Sequence, residues 1–184
     1  MLVLLMLFLF PRGNELPNYV TRGMIDNAGI VIVERDTQVD EDCTELSQND
    51  AVKCKIKAWL KDKSTYDSQW FLSDELIEAA SDLIALHVKK HPKFPWKTFC
   101  YVGNGESHWR PGATGDHSCG GSYGIFQMHK PSWSKVYDFT RLAGTSIEDA
   151  KYQIQVALDH WMKCGPQQWT VYRNLAASGH DVTN

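Results

Sequence analysis

The sequence predicts a mainly α-helical domain behind an N-terminal extension that carries a short strand. Three observations predict it. Leu76, Ala80, Leu83, Ile84 and His87 fall on one face of a helix, as do Ile147, Ala150, Ile154, Leu158 and Trp161. A serine followed closely by acids stands before each run, and a proline or a glycine follows it. Runs of β-branched residues are scarce, and Gly29-Ile30-Val31-Ile32-Val33 is the clearest of them.

At 184 residues the chain reads as one domain with an extension, divided into 1–65 and 66–184. A chain of this size buries about 70% of its unfolded surface. A composition 43% hydrophobic and 22% charged is ordinary for a globular protein. The formal charge is 19 − 22 = −3 with no basic block, which argues against a nucleic-acid partner. Of the seven tryptophans most read as core, and some as flat platforms for sugar rings.

Leu2 to Phe10 is an unbroken apolar run of nine residues, short of the roughly 20 needed to span a bilayer. It suits a signal-peptide core, yet no Lys or Arg precedes it and no Ala-x-Ala site follows. Two readings stay open: a signal or membrane anchor, and a segment that docks into a virion or envelope assembly. Thr37 to Asp50 is polar and acidic, hence loop. Ala51 to Lys61 is a short candidate helix, with Val52, Ile56, Trp59 and Leu60 at helical spacing. Tyr66 to Leu72 connects it to the domain.

Ser73-Asp74-Glu75 starts the next helix, and His91-Pro92 ends it. Trp96 to Val102 is the following helix, and Gly103-Asn104-Gly105 is expected to end it before Glu106. Thr145-Ser146-Ile147-Glu148 fits a capping box, Gly165 stops the helix after it, and Trp169 to Ala177 forms another. Cys43 and Cys54 are close enough to staple a local loop, and a pair among Cys100, Cys119 and Cys164 is also plausible. Buried free thiols are the alternative, and connectivity stays open.

The chemistry centres on Glu106 to Trp133. Five glycines, Gly112, Gly115, Gly120, Gly121 and Gly124, break up its middle. Glu106 and Asp116 are its only acids. A Glu set among Trp, Tyr and Phe suits a carboxyl whose pKa is raised by apolar surroundings, which can donate a proton to a glycosidic oxygen. His108, His117, Cys119 and His129 match no metal-ligand spacing, so no metal is expected. Phosphate-loop, nucleophile-elbow and dinucleotide motifs are absent, and no cofactor is expected.

Glu106-Ser107-His108-Trp109-Arg110-Pro111, followed by Tyr123-Gly124-Ile125-Phe126-Gln127, resembles the superfamily of soluble lytic transglycosylases and goose-type lysozymes. The Gly-rich insert and Ser122-Tyr123-Gly124 are similar to resuscitation-promoting factors and phage wall-degrading modules. The resemblance runs from Phe99 to Trp133, weakens over Ser146 to Gly179 and is absent before Ser73. It implies a lysozyme-like fold and a muralytic activity on peptidoglycan glycan strands. The cleaved bond would be the β-1,4 link between N-acetylmuramic acid and N-acetylglucosamine. The setting would be extracytoplasmic or virion-associated.

By the same resemblance Glu106 is the catalytic acid and base, at the end of a helix. The resemblance has Gln127 bind the sugar, and Ser122 is placed to hydrogen-bond either the substrate or Glu106. Tyr123 reads as packing more than contact, and Tyr172 corresponds loosely to a tyrosine near the Glu. In chicken-type lysozymes an Asp precedes the Tyr-Gly-Ile segment, whereas Ser122 stands there in this chain. One Glu without a second acid favours a lytic transglycosylase, which forms a 1,6-anhydro sugar. A hydrolase using Asp116, or a non-catalytic structural or wall-binding component, is the alternative.

Overall fold

The computed structural model describes residues 23–25, 31–33, 43, 46–115, 120–133 and 135–180. The apolar run Leu2 to Phe10 lies outside them. None of the helices in the described residues is long and apolar enough to cross a membrane. The chain divides into two units, Met1–Asp36 and Thr37–Asn184. In the first, β1 (Gly23–Ile25) pairs antiparallel with β2 (Val31–Val33), with Met24 opposite Ile32. Of the strand expected over Gly29–Val33, Val31–Val33 is found, and Gly29 and Ile30 lie outside the described residues.

The second unit is mainly helical. α1 (Gln48–Tyr66) is longer than the expected helix and begins at the N-cap Ser47, whose hydroxyl accepts the Asp50 N–H. It packs on α2 (Asp74–Lys90). Ile56 and Leu60 of α1 share one core with Ile77, Ala80 and Ile84 of α2. This helix therefore belongs to the packed body, and the division falls between Asp36 and Thr37, earlier than the boundary read at residue 65. Lys53 bridges Glu78 and Asp82 at 2.6 and 2.5 Å across the outer face of the pair. Cys43 and Cys54 form a disulfide that ties the chain before α1 to its second turn.

α2 starts at Ser73, whose hydroxyl accepts the Leu76 N–H, and ends at His91 before Pro92. α3 (Trp96–Ser107) follows. A three-stranded antiparallel sheet comes next, of β3 (Thr114–Gly115), β4 (Ser122–Tyr123) and β5 (Met128–His129). Two short helices, α4 (Lys130–Trp133) and α5 (Phe139–Leu142), lead to α6 (Ile147–Cys164). α6 carries a capping box, one residue later than expected, in which Ser146 and Asp149 exchange bonds. Gly165 ends it, a 3-10 turn over Pro166–Gln168 follows, and α7 (Thr170–Ala177) closes the body.

Aromatic rings hold these parts together. Phe99 of α3 meets Phe126 at 4.5 Å between centroids, and Trp161 of α6 stacks on Trp169 at 5.5 Å. Trp70, Trp109, Trp161 and Trp169 are buried, and Trp59, Trp96 and Trp133 are half-buried against the core. All seven tryptophans therefore contribute to packing, four as buried core residues and three from its edge. Cys100 is buried and Cys164 exposed, each as a free thiol, so neither enters the second disulfide considered above. Cys119 lies outside the described residues.

Candidate active site

Glu106 sits in the last turn of α3. The glycines before it do not end the helix, contrary to the local expectation. They are there because neighbours come too close for side chains. A Cβ on Gly103 would lie 3.2 Å from both Phe126 and Trp109, and one on Gly105 would lie 2.6 Å from Val171. Tertiary packing thus overrides the low helix propensity of glycine. The helix carries its C-terminal end, the negative end of its dipole, to the carboxyl of Glu106.

Burial raises the pKa of Glu106 above the ordinary value of 4.5. The backbone N–H of Val171, 3.4 Å from Oε1, and the positive charge of Arg173 oppose that rise. Arg173 is itself tied down, donating to the Gln167 carbonyl at 2.7 Å and to Thr170 Oγ1 at 2.8 Å. The carboxyl therefore keeps its proton to higher pH than an exposed glutamate does.

Beyond Glu106 the chain turns sharply. His108 and Trp109 both take left-handed backbone angles, with φ of 56° and 61°, which cost non-glycine residues roughly 1 kcal/mol or more each. Trp109 is fully buried and anchors the turn, its indole N–H donating to the Cys100 carbonyl at 3.1 Å. The Arg110 N–H donates to the buried Ser107 hydroxyl at 3.1 Å. The turn thereby places His108 and Arg110 beside Glu106 in one cleft of about 550 Å³. Ser107, Gly112, Ala113, Thr114, Gly115 and Gln127 complete its lining.

The loop Gly124–Gln127 is pinned from α6 and from the start of α7. Gln153, buried on α6, accepts the Ile125 N–H at 3.0 Å and donates to the carbonyls of Arg141 and Gly144. The Trp169 indole N–H donates to the Phe126 carbonyl at 2.8 Å. Gln127, itself left-handed at φ 45°, donates its amide hydrogens to the carbonyls of Ala113 and Gly124, at 3.2 and 2.9 Å. Both donors are spent inside the loop, and its amide oxygen is what remains for a ligand.

Of the residues singled out from sequence, the structure brings Glu106 and Gln127 into one cleft. Ser122 and Tyr123 lie on β4 and do not line it. Tyr123 packs edge-on to Phe139 at 6.0 Å. Tyr172 lies edge-on to Trp161 at 5.5 Å and is likewise outside the lining. Among the described lining residues Glu106 is the only acid. Asp116, His117 and Cys119 lie outside the described residues. Sequence reasoning missed Gln153, Trp169, Val171 and Arg173. Only Gln153 left a signal, a polar residue on the face shared by Ala150, Ile154 and Ala157.

No protein-family model, curated protein or solved structure matches the chain.

Proposed function

We propose that this chain is a muralytic enzyme with a lysozyme-like fold, a lytic transglycosylase acting on the β-1,4 bond between N-acetylmuramic acid and N-acetylglucosamine. The observation that carries the reading is Glu106: one half-buried carboxyl, its pKa raised by burial, set at a helix end on a cleft with no second described acid. Protonated Glu106 donates to the glycosidic oxygen as the C1–O4 bond breaks. The substrate's N-acetyl oxygen covers C1 on the opposite face. The Glu106 carboxylate then takes the proton of the substrate's 6-hydroxyl, whose oxygen closes on C1 and leaves a 1,6-anhydro sugar. One carboxyl serves both proton transfers, and water is not consumed. The setting we assign is extracytoplasmic or virion-associated, with the N-terminal apolar segment as the contact to a membrane or an assembly.

Mass analysis of muropeptides released from purified peptidoglycan tests this. Wild type is expected to release anhydro-ended products, and Glu106→Gln to lose activity by about 10²–10⁴-fold. Reducing-ended products would replace the transglycosylase by a hydrolase and direct attention to Asp116. No release from walls of several chemotypes would leave a structural or wall-binding component.

A further inference from the structure

Arg110 is the one cation lining the Glu106 cleft among the described residues. Its guanidinium carbon lies 4.7 Å over the centroid of the Phe71 ring. Phe71 is 54% exposed, a large apolar side chain left in solvent. Its backbone N–H donates to the His108 carbonyl at 3.1 Å, and its ring stands edge-on to the His108 ring at 6.3 Å. The same left-handed pair, His108 and Trp109, that buries Trp109 turns Arg110 toward Phe71. Strained backbone of this kind persists where the surroundings enforce it, and it clusters at ligand sites.

A guanidinium stacked on an aromatic ring has one face covered and its edge of N–H donors free. Arg110 makes no ion pair and no side-chain hydrogen bond among the described residues. Arg173, also near Glu106, is held by bonds to the Gln167 carbonyl and to Thr170. A planar anion that accepts two parallel N–H bonds is the natural partner of such an edge, and a carboxylate is the commonest.

We infer that Phe71 and Arg110 form a carboxylate-binding rim of the Glu106 cleft, which makes this site selective for glycans that carry an acid over neutral ones. The inference rests on the wall-glycan reading above and adds its selectivity. Two wall carboxylates share this chemistry: those of the stem peptide, and that of the lactyl ether when the stem has been removed. Phe71 stiffens the guanidinium and offers its exposed edge to the apolar face of a neighbouring sugar.

Calorimetric binding to the full chain carrying Glu106→Gln, which leaves ligand intact, tests the rim. Three ligands are compared: a neutral chitooligosaccharide, a peptide-free muramyl oligosaccharide and its stem-bearing form. An acidic ligand is expected to bind about tenfold tighter than the neutral one at low salt. Adding Arg110→Gln should erase that difference and leave chitooligosaccharide affinity unchanged, which also shows that the variant folds. Loss for the stem-bearing ligand alone assigns the stem carboxylate, and loss for the peptide-free one alone assigns the lactyl group. Unchanged or uniformly weakened affinities with Arg110→Gln would overturn the rim, as would failure of all three to bind. Turnover by chains with Glu106 intact separates the two ideas. Muropeptide release without Arg110 selectivity sinks the rim alone, and selectivity without release sinks the enzyme reading alone.

Discussion

Replacing Gly105 by Ala places a methyl group where α3 and α7 touch. The new carbon would lie 2.6 and 2.8 Å from the two Val171 methyls. Carbon atoms rest at about 3.5–4.0 Å, so the elements must part by roughly 1 Å. Val171 is β-branched on a helix and cannot swing away cheaply. Ala for Gly inside a helix gains about 1 kcal/mol by itself, while overpacking costs about 1–3 kcal/mol. The net expectation is a loss near 1 kcal/mol, or about 2–4 °C in Tm for a chain of this length. The Val171 N–H also bonds the Glu106 carboxyl, and that bond lowers its pKa. Parting the helices weakens it, so the pKa of Glu106 rises further and the alkaline limb of the activity profile moves to higher pH. Gly105→Ala on a Val171→Ala background should be neutral or stabilising, because only the 3.3 Å approach to the residue 171 Cβ remains and the helix propensity gain is kept. Thermal melts and pH–rate profiles of the four proteins measure all of this. If Gly105→Ala alone melts above wild type, the close approach does not constrain this helix pair, and the account of why α3 tolerates its glycines fails.

Activity in wild type should fall as pH rises through the raised pKa of Glu106, since the first step needs the protonated form. Arg173→Gln removes a charge that lowers that pKa, so the falling limb should shift upward in a pH–rate profile. The Cys43–Cys54 disulfide closes a loop of sequence separation 11, and Cys54→Ser should cost up to about 3 kcal/mol, read as a lower urea midpoint under oxidising conditions. His87 and His160 are buried and burial holds both below the ordinary 6.5; for His87 the charges of His91 and Lys90 add to this and Asp159 opposes it, and for His160 Lys163 adds to it. Both are neutral in either state well above pH 6.5, and as pH falls through 6.5 the unfolded chain takes up protons first. Melting temperature should therefore decline as pH drops from 6.5 toward the depressed folded values, and His87→Gln should flatten part of that decline.

Much of the helical frame was legible from local chemistry. Ser73 caps where serine before acids predicts, the second capping box lies one residue past its expected place, and Pro92 and Gly165 stop the chain where their backbone limits require. The motif around Glu106 and Gln127 located two residues that do share a cleft. The end of α3 was misread because glycine has two meanings. Locally it breaks helices, but Gly103 and Gly105 answer to Phe126, Trp109 and Val171, which no window of sequence places beside them. The supports of the site were hidden for a related reason. Gln153 reaches Ile125 across 28 residues, and Val171 reaches Glu106 across 65 by its backbone N–H, a group every residue but proline carries. Ser122, Tyr123 and Tyr172 followed from motif position, and a position in a motif does not say which way a side chain leaves its strand or helix.

Trp169 and Val171 stand two positions apart at the start of α7. The first holds the carbonyl of Phe126 and the second the carboxyl of Glu106. The proton donor and the loop below it are thus gauged by the same three residues of chain, like two jaws of a caliper on one bar. Neither can be retuned alone. A one-residue insertion between Trp169 and Val171 would rotate α7 by about 100°, and the donor and the loop would lose their common reference together.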